Sequence, residues 1–161
     1  MKKEIIILVG ISGSGKTTFA SNFMKENLNY LRVNRDDIRK TLVGNLNGYY
    51  QRKDLNELEQ LVTELEESMS DVLLCNDNII IDNTNLKQRY INKWIKYSQD
   101  TDIYHNLKFK LFDISLEESQ RRVCKRESLH NFEDLNYIEK QYNDYQEIKK
   151  WLISNYKDKI I

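Results

Sequence analysis

The sequence predicts an α/β fold of three layers: a central parallel sheet of four or five strands, helices on both of its faces, and a helical lid. Three observations predict it. Short apolar runs alternate with helix-periodic segments along the chain, the pattern of strands joined by right-handed helical crossovers. No Pro/Gly/Ser-rich linker and no internal repeat divides the 161 residues, a length that suits one domain over 1–161. Three of the five glycines, Gly10, Gly13 and Gly15, fall within six residues at the end of the first apolar run, although glycine is costly inside regular structure.

Taken in order, Glu4–Val9 is near-continuously apolar, as a strand buried on both faces should be. Residues 15–27 follow as a helix, Tyr30–Val33 as a second strand, and 36–43 as a helix. Residues 44–48, with two glycines and two asparagines, read as a loop. In 54–74, Leu55, Leu58, Leu61, Val62, Leu65, Met69, Val72 and Leu73 trace one face of a long helix, whose acidic residues are expected to form a solvated outer face. Asn78–Ile81 is a third strand. Residues 87–99 form a helix whose Tyr90, Trp94 and Tyr97 are spaced for the core. A fourth strand over 107–112 precedes a helix over 115–128, where Ser115 and Glu118 fit a capping box. The lid is expected over about 115–130 and a last helix over 134–156.

Composition excludes several classes of protein. The 25 Lys plus Arg balance 25 Asp plus Glu, so no global basic field exists to hold a nucleic-acid duplex; a local patch would have to serve. The longest apolar run, 5–11, has seven residues and is broken by Gly10, far short of the ~20 that span a bilayer. Two cysteines cannot build a disulfide framework or a four-ligand zinc site, and His105 and His130 lack partners at metal spacing, so a reducing, cytoplasmic setting is expected. The basic start followed by apolar residues mimics a signal peptide, but Glu4 interrupts it and a better explanation of 5–18 exists.

That explanation is a motif. Gly10-Ile-Ser-Gly-Ser-Gly-Lys16-Thr17 satisfies G-x-x-x-x-G-K-[ST] between a predicted strand and a predicted helix, the phosphate-binding loop. Glycines let backbone N–H groups curl around an anion, and the helix N-terminus adds its positive end. Gly10, Ser12, Gly13, Ser14, Gly15 and Thr18 build the cradle; Lys16 would reach the β- and γ-phosphates, and the Thr17 hydroxyl would ligate Mg²⁺. A nucleoside triphosphate with Mg²⁺ is the implied ligand.

In such sheets, ligands bind beyond the carboxyl ends of the strands. After the second strand come Arg35, Asp36 and Arg39. Asp36 and Arg39 share a helix face; either the acid takes a hydroxyl proton while the arginine holds an acceptor phosphate, or the pair is an incidental one at a helix start. After the third strand, Asp82 stands where these folds place an Mg²⁺ partner, while Asn85 contacts an acceptor or caps the next helix. After the fourth strand, Arg122 and Arg126 lie four apart on one face; they either close over a triphosphate or pair with Glu117 and Glu118.

Taken together, GISGSGKTT, VNRDDIR, IIIDNTNL and FDISLEESQRRVCKRES resemble, in order and spacing, the kinase domain of 5′-hydroxyl polynucleotide kinases, particularly the phage type. The resemblance covers most of 1–128 and, more loosely, 129–156. It implies a P-loop kinase that moves the γ-phosphoryl group of ATP to the 5′-hydroxyl end of single-stranded DNA or RNA. It casts Asp36 as general base, Arg39 as the contact to the acceptor's neighbouring phosphate, and Arg126, with Arg122 second, as lid arginines on the donor phosphates; an open channel lined by Arg35, Arg39 and other cations would favour this acceptor. Some relatives place the acid directly before the threonine, where this chain has Asn83; Asp82 then either contacts metal or orients Arg39. No D-x-D-x-[TV] phosphatase signature occurs, so kinase activity alone is expected. Rival readings are a small-molecule or nucleoside kinase and a nucleotide-dependent switch.

Overall fold

The computed structural model describes residues 3–100, 106–127 and 135–161. His105, His130, Ser128 and Asp134, and the part of the expected lid beyond residue 127, lie outside them. Four strands, β1 (Glu4–Val9), β2 (Tyr30–Val33), β3 (Asn78–Ile81) and β4 (Asn106–Leu111), form one sheet in the order β2-β3-β1-β4. Every pairing is parallel, with Ile5 opposite Ile79 and Leu107 in the central register. No fifth strand forms among the described residues. A single bridge joins Ile160 to Phe109, with the Ile161 N–H donating to the Phe109 carbonyl at 2.9 Å.

The continuous apolar runs are explained by burial on both sheet faces. Ile6, Leu8 and Ile80 pack against Ala20, Phe19 and Phe23 of α1 (Lys16–Glu26). Ile5, Ile7, Val9, Ile79, Ile81 and Phe109 face the other way, against α5 (Gln88–Asp100) through Ile91 and Trp94, and against α7 (Asn136–Tyr156) through Tyr145, Ile148 and Leu152. Each fully buried side chain of this size contributes about 1.5–3 kcal/mol of transfer free energy.

A separate small cluster lies beyond the β2 edge. Here α2 (Arg35–Val43), α3 (Leu46–Tyr50) and α4 (Leu55–Leu74) enclose Ile38, Tyr49 and Val62. The segment expected as a loop thus contains a short helix. Asn45 starts it by accepting the Gly48 N–H on its side-chain oxygen at 2.7 Å, so the residue that reads as a breaker acts as a cap. The stripe expected on α4 is also narrower than its spacing implied: Leu61, Met69 and Val72 are exposed, while the helix packs against α2, β2 and β3. Finally, α6 (Leu116–Glu127) begins at Ser115, whose hydroxyl accepts the Glu118 N–H at 3.2 Å. The capping box stays half-made, since the Glu118 carboxylate pairs with Arg121 and Arg122.

Candidate active site

The carboxyl ends of β1, β2 and β3 open onto one cleft of about 970 Å³. Residues 12–18 form its floor, between β1 and α1. The turn needs glycine for two separate reasons. Gly13 has φ +73°, and a Cβ there would sit 3.0 Å from the Ser119 carbonyl oxygen of α6. At Gly10 a Cβ would approach Phe112 to 2.9 Å. Gly10 does not itself line the cleft: its N–H is donated to the Thr84 carbonyl at 3.1 Å.

Lys16 is buried, and its ammonium donates to the Ile11 carbonyl at 2.7 Å and to the Ser14 hydroxyl at 3.3 Å. Burial pushes its pKa down to about 8, against the opposing pull of Asp82 and Asp36. Thr17 and Thr18 line the same floor. The Thr17 hydroxyl donates to Asp82 Oδ2 at 2.8 Å.

Asp82 directly follows β3 and is only 1% exposed. Its Oδ2 also accepts from Arg32 at 2.7 Å, and Arg32 in turn pairs with Asp37. Its Oδ1 has no hydrogen-bond partner, an arrangement that buried carboxylates usually avoid. An Mg²⁺-bound triphosphate fits this donor set. Mg²⁺ takes one or two protein oxygens and otherwise keeps phosphate oxygens and water; the Thr17 hydroxyl and the unpartnered Asp82 oxygen would supply the protein share. Of the two roles open for Asp82, contact with Arg39 is absent.

Arg39 is held by other residues. Its Nη1 donates to Asp36 Oδ1 at 2.7 Å, while Nε and Nη2 donate to the two oxygens of Glu59 at 2.8 and 2.9 Å. Burial alone would weaken the guanidinium's charge, but the Glu59 hydrogen bonds overcome it and leave the pKa above its ordinary value. The same bond to Arg39 holds Glu59 down at about 2. Asp36 is about half exposed on the cleft wall.

Arg35 was expected to face an acceptor. It lines the cleft, and its guanidinium donates into α4, to Glu59 at 3.0 Å, to Glu66 at 3.2 Å and to Thr63 at 3.1 Å. Glu66 is buried and also accepts from Lys93 and Asn83. The acidic residues of α4 are therefore not all on a solvated face; Glu59 and Glu66 point at the site and neutralise its cations. Asn85 lines the cleft, but its amide is buried and donates to the Leu8 carbonyl at 2.8 Å. With φ +51° it turns the backbone, and α5 starts only at Gln88, which corrects the helix-cap reading; the residue itself stays on the cleft lining.

On the opposite wall, α6 is tied to the loop. The Ser119 hydroxyl donates to the Ser12 carbonyl at 2.7 Å, and Arg122 donates to the Gly13 carbonyl at 3.3 Å. The Ser12 N–H donates to Gln141 of α7 at 2.9 Å. Arg122 also pairs with Glu118, as the solvated reading had it, whereas Arg126 pairs with Glu127 and is largely exposed. Both arginines line the cleft. Sequence reasoning missed Arg32, Glu59, Glu66, Lys93 and Gln141. A signal existed only for the glutamates, which lie seven apart and therefore on one side of α4.

Triphosphate binding is expected to take up protons near pH 8–9. The free protein holds Lys16 at about 8, and an arriving polyanion raises that value, so part of the population gains a proton. Calorimetry in two buffers of different ionisation enthalpy measures the uptake. No uptake, or proton release, contradicts the assignment.

The sequence profile described as an AAA domain matches residues 5–147. A putative bifunctional polynucleotide kinase/RNA ligase of Autographa californica nuclear polyhedrosis virus is 32% identical over 157 residues, covering 92% of this chain and 22% of that protein. Among solved structures, a chain of the Pnkp1/Rnl/Hen1 RNA repair complex superposes with a TM-score of 0.77 at 34% identity, over 92% of this chain and 46% of that one. The protein thus spans less than half the length of these relatives. The Mycobacterium tuberculosis APS kinase CysC, at 16% identity and a TM-score of 0.59 over 81% of this chain and 73% of its own, shares the fold. With the profile match running through nearly all of its elements and the strand–loop–helix of Glu4–Glu26 at its start, the chain belongs to the AAA-domain family and has a P-loop kinase fold.

Proposed function

We propose that this chain transfers the γ-phosphoryl group of ATP to the 5′-hydroxyl end of a DNA or RNA strand, as a single kinase domain acting in the cytoplasm. The observation that carries the reading is the Asp36–Arg39 pair on the wall of the same cleft whose floor is the phosphate-binding loop. A nucleotide switch has no use for an acid–guanidinium pair facing the triphosphate. The names of the viral relative and of the repair complex support a nucleic-acid acceptor. No helix among the described residues is long and apolar enough to cross a membrane.

The transfer makes one P–O bond and breaks another. The 5′-hydroxyl oxygen attacks the γ-phosphorus while its proton passes to the Asp36 carboxylate. The bond from the γ-phosphorus to the bridging oxygen breaks, and that oxygen leaves on ADP. Lys16, Arg122 and Arg126 offset the negative charge spread over the phosphoryl oxygens. Thr17 and Asp82 would hold Mg²⁺, which would supply positive charge to offset the phosphate charge. Arg39 has five N–H donors; three are engaged by Asp36 and Glu59, which leaves one on each terminal nitrogen for an acceptor phosphate. Chemistry of this kind depends on alignment more than on covalent participation.

Labelled ATP tests the proposal when offered in parallel to a 5′-hydroxyl oligonucleotide, a free nucleoside and no acceptor. Label is expected on the oligonucleotide alone. Equal or greater transfer to the nucleoside would make this a nucleoside kinase, and hydrolysis without transfer would make it a switch.

A further inference from the structure

We propose that Tyr50 is the stacking platform for the base of the acceptor's terminal nucleotide; the assignment rests on the kinase reading and states how that reading's substrate is gripped. Three exposed tyrosines line the cleft: Tyr50, Tyr90 and Tyr137. Their surroundings separate them. Tyr137 feels the charges of Arg126 and Glu127, on the donor side. One face of Tyr90 is covered by its neighbour Arg89, whose guanidinium lies 4.9 Å from the ring centroid and donates to the phenol oxygen. The charges around Tyr50 are those of Arg39, Asp36, Glu59 and Arg35, the groups that would hold the acceptor.

Tyr50 is built as a surface with a fixed back. Its ring meets Tyr49 edge-on, at 5.4 Å between centroids and 85° between planes. Tyr49 is completely buried, and its hydroxyl donates to Glu59 at 2.9 Å. Arg39 lies 5.7 Å from the Tyr49 centroid and 6.0 Å from that of Tyr50. One carboxylate, Glu59, therefore fixes both the guanidinium and the tyrosine that braces the platform. Tyr50 remains 54% exposed, the most of the three tyrosines. A nucleotide with its 5′-hydroxyl at Asp36 and its 3′-phosphate at Arg39 has one large group still unplaced. That group is a flat, uncharged base within a sugar's width of both contacts. Stacking accepts every base because each has a π-face, as a kinase of strand ends requires.

The test uses two 5′-hydroxyl oligonucleotides that differ only in the terminal nucleotide, normal in one and abasic in the other, at saturating ATP. The wild-type KM is expected to rise roughly 5- to 150-fold on the abasic end, the usual worth of one base stacked on an aromatic side chain, with a smaller change in kcat. Tyr50→Leu should raise KM on the normal end by the same factor and leave the abasic end unchanged; Tyr50→Phe should restore wild-type discrimination. If Tyr50→Leu weakens both acceptors equally, or if the wild type does not distinguish them, the platform is refuted and the kinase reading survives. If the wild type transfers label to neither oligonucleotide, both readings fall.

Discussion

Asp36→Asn is expected to lower turnover by about 10²–10⁴-fold, the usual worth of general acid–base assistance, while ATP affinity stays unchanged. The substitution is close to isosteric, and the asparagine oxygen can still accept from Arg39, so the α2–α4 cluster should persist. What it removes is the ability to take a proton. The acid's position decides the expectation: Oδ1 is committed to Arg39 at 2.7 Å, yet the side chain stays half exposed to the cleft, within reach of an incoming hydroxyl. Single-turnover rates with saturating ATP separate the chemical step from binding. A variant that turns over at near the wild-type rate would remove Asp36 as the base.

Asp82→Asn should produce the second large effect, visible in two measurements. The Asp82–Arg32 pair is buried on the carboxylate side, and removing one partner of a buried pair costs about 3–5 kcal/mol. Arg32 keeps Asp37, so the loss in denaturant unfolding should fall at or below about 3 kcal/mol. Independently, the Mg²⁺ concentration for half-maximal activity should rise well above the wild-type value, because the oxygen without a protein partner is the one proposed to face the metal. An unchanged Mg²⁺ requirement, even with the loss of stability, would restrict Asp82 to a structural role.

The fold was largely legible in the sequence because parallel strands buried on both faces leave a plain record. Ile5–Val9 and Ile79–Ile81 are apolar throughout, since neither face of the sheet sees water there. The phosphate-binding loop was legible because its backbone conformation demands glycine. What stayed hidden depends on long-range pairing of charges. Glu59 and Glu66 look like any other acids on an amphipathic helix until α2 brings Arg35 and Arg39 against them. Arg32 gives no hint, within a strand of four residues, that it will meet Asp82 fifty positions later. Tyr90 matched the core spacing of Trp94, but the turn it occupies faces the cleft, and it is 44% exposed. Periodicity identifies which residues share a side; it does not say which side finds a partner.

The ties between α6 and the phosphate-binding loop bear on how fast the two can part. Ser12 and Gly13 are joined to Ser119 and Arg122 by direct hydrogen bonds, so the first turns of α6 move with the loop as one body. Arg126 lies beyond those anchors and largely in solvent; in the role proposed for it, it would reach a phosphate by rotating its own side chain. Rotations of exposed side chains take picoseconds to nanoseconds, whereas swinging a helix takes microseconds or longer. In that role, recruiting this arginine would not set the pace of a catalytic cycle.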